Sequence, residues 1–259
     1  MTKNNNNSEI YANEQSNVAK VAVFKTNMEA GVNEKGDPAP AKTLVSFGSV
    51  SEYTKENGEI EKPNARRVMS EIANINNFLK SVDAEKIPLT IATNDKQTYM
   101  TADVYQQSGV SKDGMPYRFN KMAIEIQPEI RNEQGELVQN SQKIYATKGQ
   151  AGVKGYSFDK NNDPALLEKF NNLIKDGIYL NLKAQNNSTL EKYPQLMNAL
   201  NQVPEKGGAR FEVAFVKQQG AVLTENIQIL TSDGKEQGAA KLIQEAAKPK
   251  KGKSKETER

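Results

Sequence analysis

The stretch Thr98–Ile126, TYMTADVYQQSGVSKDGMPYRFNKMAIEI, reads as two strands and the turn between them. Thr98 to Tyr105 and Tyr117 to Ile126 are rich in β-branched, aromatic and aliphatic residues, and Lys112-Asp113-Gly114 supplies turn chemistry. Further candidate strands lie at Ile87 to Thr93 and Leu137 to Thr147, so residues 86 to 158 form a run of antiparallel strands. Gly-containing or Asn-Asp turns separate them, the strongest being Asn132-Glu133-Gln134-Gly135-Glu136.

Outward from this block, Val18 to Lys25 and Thr43 to Val50 read as strands, with turn residues at Glu34 to Pro38. Asn57-Gly58 favours a type I′ hairpin. Ala65, Val68, Met69, Ile72, Ile75, Leu79 and Val82 recur at steps of three and four, the stripe of an amphipathic helix. Asn64 is its N-cap, and Pro88 lies beyond its end. A second helix starts at Asp163-Pro164, buries Leu166, Leu167, Phe170, Leu173 and Ile174, and stops at Asp176-Gly177. Ile178 to Lys183 is a short strand, and Pro194 to Asn201 is a third helix over Leu196, Met197 and Leu200. Arg210 to Lys217 and Val222 to Leu230 form a closing hairpin, and Ala239 to Ala247 a weak helix.

Helices and strands do not alternate, which disfavours a doubly wound parallel sheet, and no fixed-period repeat points to a solenoid. The expected fold is mixed α+β, a mainly antiparallel sheet with about three packed helices. Residues 1–17 are read as a disordered polar amino terminus, because Asn, Gln, Ser and Glu dominate them. Residues 18–232 are read as one α+β domain, with a subdivision allowed near residue 160. Residues 233–259 are read as the weak helix and a basic disordered tail.

Composition narrows the chemistry. The 259 residues contain neither His nor Cys. That excludes a Ser-His-Asp triad, a Cys-His pair, disulfides and imidazole or thiolate metal sites. Catalysis would be left to carboxylates, Lys, Tyr or a carboxylate-held Mg²⁺. A nuclease-like pattern of Asp with Glu-x-Lys is approached by Asp103 or Asp113 with Glu125 or Glu129, but neither glutamate is followed by the lysine. No cofactor, no metal and no enzymatic activity are expected. Mean hydropathy is −0.73. No apolar run nears the ~20 residues of a membrane span, and no apolar leader follows Met1. The expectation is a cytoplasmic protein without a membrane partner.

The net charge of +3 is unevenly placed. Lys248, Lys250, Lys251, Lys253, Lys255 and Arg259 stand against Glu256 and Glu258, a net of +4 that leaves the other residues at −1. Such a tail contacts polyanions by counterion release, or serves only to solubilise. Strand alternation puts Tyr117, Phe119 and Lys121 on one face with Arg118 on the other, while Tyr99 and Tyr105 share a face on the preceding strand. Paired, these strands would build an aromatic platform of the kind that stacks bases; the competing reading makes the same rings core. The loop from Lys148 to Gly155 carries Lys148, Lys154 and three glycines, and would bring backbone N–H groups and charge to phosphates. It is no Walker A motif, since Lys154 precedes Gly155 and strand-like residues.

The expected partner is single-stranded nucleic acid, DNA first, held by the strand aromatics, the basic loop and the tail. The alternative is a protein-interaction or structural accessory factor of a phage or plasmid, suggested by the Asn/Gln/Lys-rich texture.

Overall fold

A computed structural model describes residues 19–32, 36–149, 155–183, 187–216, 221–230 and 236–240, with side chains through residue 213. Eleven strands make one antiparallel sheet: β1 Ala19–Met28, β2 Lys42–Val50, β3 Leu89–Thr93, β4 Tyr99–Val110, β5 Pro116–Gln127, β6 Gln142–Lys148, β7 Tyr156–Phe158, β8 Ile178–Leu182, β9 Gly208–Val216, β10 Ala221–Leu230 and β11 Glu236–Ala240. Their spatial order is β7-β6-β5-β4-β3-β8-β2-β1-β9-β10-β11. Among the described residues four helices accompany them, α1 Ala65–Ser81, α2 Pro164–Ile174, α3 Asn187–Leu190 and α4 Pro194–Asn201. The mixed α+β expectation, with the sheet dominant, holds. α3 lies outside the three expected helices.

β3 to β7 form a meander, as the turn residues between them imply. β8 departs from it. This short strand inserts between β3 and β2, pairing Ile178 with Thr93 on one side and Val50 on the other. Chain from both sides of residue 160 therefore shares one sheet. β2 and β3, each antiparallel to β8, run parallel to one another and are joined over the sheet by α1.

α1 begins where Asn64 accepts from the Arg67 N–H at 3.1 Å, satisfying an N–H that the first turn leaves open. Its buried face comprises Val68, Met69, Ile72, Ile75, Phe78 and Leu79. Phe78 lies outside the expected stripe, yet it is fully buried between Phe47 of β2 (6.2 Å, edge-on) and Phe211 of β9 (4.8 Å). α1 contacts β7 at one edge of the sheet and β10 near the other, so the sheet curves around the helix. Asp163 caps α2 through the Ala165 N–H at 2.9 Å, and Phe170 packs edge-on against Phe158 at 6.0 Å. Of the expected α2 face, Phe170 and Ile174 are buried; Leu166, Leu167 and Leu173 pack against the core while staying partly open.

Three local readings are corrected. The Asn57-Gly58 turn is not type I′: only Gly58 takes positive φ, at +80°, and its N–H donates to the Lys55 carbonyl at 2.9 Å. A longer loop thus joins the two-residue strands Tyr53–Thr54 and Ile60–Glu61. Leu137 to Thr147 is not one strand. Pro128 ends the β5 ladder, the chain diverts into a separate ladder of Ile130–Arg131 with Leu137–Gln139, and β6 rejoins β5 only at Gln142. Ala239 and Ala240, read as the start of a helix, belong to β11, where Ala239 pairs with Gln228 and the open edge of β10 supplies hydrogen-bond partners. The rest of that helix reading, and the readings on residues 1–17 and the basic tail, lie outside the described residues. Among the described residues no helix is long and apolar enough to cross a membrane.

Candidate functional site

β4 and β5 form a long hairpin closed by Ser111–Met115. The Ser111 N–H donates to the Met115 carbonyl at 2.8 Å, and Gly114 takes φ +77°, which an L side chain resists. Near β3 the pairing is half-buried: Met100, Ala102, Met122, Ile124 and Ile126 face the core. From Tyr105 outward to Asn120, no residue of either strand is fully buried. The hairpin thus leaves the core and carries both faces toward solvent.

The pairing sets Tyr105 opposite Lys121, Gln107 opposite Phe119 and Gly109 opposite Tyr117. All six lie on the face away from the core, because side chains alternate along each strand. Tyr117 stacks on Phe119 with centroids 5.3 Å apart and planes at 28°. The Tyr117 ring also lies over Gly109, where a Cβ would come within 2.6 Å of its Oη. Glycine here makes room for the ring. Tyr105 is 41 % exposed and diagonal to Phe119, within reach of a ring. Tyr145 of β6, opposite Ala123, adds a fourth aromatic at 39 % exposure that strand alternation in the hairpin alone does not reveal. Tyr99 is 57 % exposed on the same face but stands six residues from Tyr105, roughly 20 Å along the strand, outside this cluster.

The rings expected as a platform are therefore not core. The charges expected around them are less available. Lys121 is held by Asp159, Nζ to Oδ2 2.5 Å, and the second oxygen of Asp159 accepts from Thr147 Oγ1 at 2.5 Å. Partial burial pushes the Asp159 carboxyl up, but the hydrogen bonds from Lys121 and Thr147 and the Lys121 charge outweigh it and hold the group below the usual carboxylate range. Asn162 completes this clasp by bonding both the N–H and the carbonyl of Tyr145, at 2.8 and 2.7 Å. Lys143 lies 3.5 Å from Glu125. Arg118 is exposed on the opposite face of the hairpin. Lys148 is exposed at the end of β6; Lys154, Lys248, Lys250, Lys251, Lys253 and Lys255 lie outside the described residues. What the fold gathers is aromatic rather than strongly basic.

Of the carboxylates considered as metal ligands, Asp103 and Glu125 lie diagonal to one another on one face of β4 and β5, but Glu125 accepts from Ser141 Oγ at 2.6 Å and lies 3.5 Å from Lys143. Asp113 is in the hairpin tip, and Glu129 pairs with Arg131 at 2.6 Å. Among the described residues no group of three or more carboxylates is placed to hold a metal ion.

On the α1 side of the hairpin, across the strands from the platform, an open cavity of about 900 Å³ lies between the polar side of α1 and strands β4 to β6. Asn74, Asn76, Asn77 and Lys80 of α1, Lys86, Gln106, Asn120, Lys148 and Tyr156 line it, and Tyr105 and Tyr145 reach its wall. Burial pushes the Tyr156 hydroxyl up to about 12, so it stays a neutral donor across the physiological range. Comparison of the chain with protein-family models, with curated proteins and with solved structures finds no match.

Proposed function

We propose that the protein is a non-enzymatic binder of single-stranded nucleic acid, DNA in the first place, and that bases stack on the β4–β6 platform. The carrying observation is the gathering of Tyr105, Tyr117, Phe119 and Tyr145 on the side of three adjacent strands turned away from the core. Core aromatics fill space between elements; Tyr117 and Phe119, half-buried and stacked on a projecting hairpin with a glycine beneath one ring, instead flank the exposed ring of Tyr105. Every base offers a matching π-face, so such a surface tolerates sequence.

Since Lys121 and Lys143 face carboxylates, phosphate attraction falls to Arg118 and the lysines from Lys248 to Lys255, with Lys148 adding charge at the end of β6. Binding then divides into a stacking part and a salt-sensitive part. Fluorescence anisotropy with labelled deoxyoligonucleotides tests both. Tyr105→Ala and Tyr117→Ala are each expected to weaken binding by about 5- to 150-fold, the equivalent of ~1–3 kcal/mol per stacked base. Raising salt is expected to weaken the wild type further. Unchanged affinity in both variants, or no binding at micromolar protein, removes this reading.

A second reading has its own observation. The ladder Ile130–Arg131 with Leu137–Gln139 exposes Ile130, Leu137 and Val138 together. Exposed apolar clusters mark protein contacts, so this hairpin suits a protein partner. Light scattering coupled to size exclusion, comparing wild type with Val138→Lys, checks it: a self-association that the variant loses supports the contact, and a monomer in both removes self-association.

A further inference from the structure

We infer that the cavity beside α1 holds one nucleotide of a bound strand and gives the protein a base preference that the platform alone lacks. The inference rests on the single-stranded nucleic-acid reading and names what that interface would select. The volume, about 900 Å³, falls in the ~300–1,000 Å³ range of small-ligand sites.

Its walls carry the chemistry of a base edge. Asn74 and Asn77 are three residues apart on α1, hence on one side of the helix. Facing them are Gln106 and Asn120, cross-strand partners whose amides bond each other at 3.4 Å. Carboxamides both donate and accept, as the hydrogen-bonding edges of bases require. Asn77 is partly buried and makes no side-chain hydrogen bond to the described residues, so its donor and acceptor remain to be used. Tyr156 adds a ring whose hydroxyl stays protonated.

Charge favours an anion over a neutral sugar. Lys80, Lys86, Lys143 and Lys148 border the cavity against Glu85 and Asp103. Lys80 and Lys86 have no carboxylate within ion-pair distance among the described residues. Tyr105 lines the cavity wall but points its ring to the platform face, opposite Gln106 on the same strand. β3 pairs with β4 only as far as Ala102, so a strand stacked on the platform reaches the cavity by passing round the β4 edge beyond that residue.

The experiment compares twelve-nucleotide homopolymers of dA, dC, dG and dT, together with the four deoxynucleoside 5′-monophosphates, on wild type, Asn77→Ala, Gln106→Ala and Tyr117→Ala. The wild type is expected to separate the tightest from the weakest homopolymer by 10-fold or more. Asn77→Ala and Gln106→Ala should each narrow that ratio at least 5-fold, while Tyr117→Ala weakens all four evenly. If Tyr117→Ala still weakens binding but neither amide variant alters the ratio, the cavity assignment falls and the platform stands. If no homopolymer binds, the platform reading falls, and the monophosphates decide the cavity. Shifts of the Asn77, Gln106 and Asn120 side-chain amide NMR signals on adding a monophosphate sustain it; unmoved signals at millimolar ligand overturn it.

Discussion

Gly109 shows how one missing side chain shapes the candidate surface. Its φ is ordinary, so the backbone would accept alanine; the obstacle is the Tyr117 ring above it. Gly109→Ala is expected to lift that ring off its stack with Phe119, lowering oligonucleotide affinity several-fold with little change in Tm. Anisotropy and thermal melting, run together, separate the two effects. At Asp159 the prediction concerns pH. Its folded value lies below its ordinary 3.8, so its stabilising contribution is complete above that ordinary value. It is lost as pH falls through the depressed folded value. Urea unfolding should thus show no Asp159-dependent loss from pH 7 to 5 and a loss below about pH 4, which Asp159→Asn removes from the slope. Strand alternation made the common face of Tyr117, Phe119 and Lys121 legible in the sequence. The capture of Lys121 by Asp159 was not, because the partners are 38 residues apart and meet only once the loop after β7 folds back on β6. Tyr145 escaped for a related reason: its neighbours on the platform belong to β4 and β5, and only the register puts them side by side.

At the scale of elements, the parts with strong local signals were readable. α1 has a cap, a 3.6-residue stripe and a clean stop, and it spans nearly the residues that these imply. Phe78 completes its core contacts. Phe78→Ala should cost about 3–5 kcal/mol in urea unfolding, because the lost ring leaves a cavity between Phe47 and Phe211 that backbone-fixed neighbours cannot fill. Asn64→Ala at the same helix's start should cost only ~1 kcal/mol, since one N–H reverts to water. Finding the larger loss at Asn64 would mean that capping, not packing, holds α1. Where local signals were weak, tertiary context prevailed. Glu236–Ala240 has alanines that suit a helix, yet it lies as a strand against β10. Pro128 divides what reads as continuous pairing, because proline offers no N–H to the ladder.

The whole molecule is organised by the position of β8. A strand of five residues from the second half of the chain occupies the centre of an eleven-stranded sheet, buried at Ile178, Leu180 and Leu182. Sequence patterning marks it as a strand but carries no address, since its partners lie some 90 and 130 residues upstream; Leu180 pairs with Ile91, and Tyr179 with Ser49. The consequence is cooperative. Without β8, the facing edges of β2 and β3 keep unpaired N–H and C=O groups and α1 lacks a continuous floor. A fragment ending near residue 160 is therefore expected to stay unfolded, and the full chain to lose β1 to β9 in one transition. Hydrogen exchange provides the measurement: amides of β3, β8 and β2 should share a single opening free energy, because breaking the central strand exposes both neighbours at once. Protection persisting in β3 to β7 after β8 has exchanged would instead establish the meander as a separately stable unit. The same link bears on the candidate site. The β4–β5 hairpin projects from that meander, so Leu180→Ala, 35 residues in sequence from Tyr145, the nearest platform residue, should reduce oligonucleotide affinity only under conditions where the central sheet has begun to open.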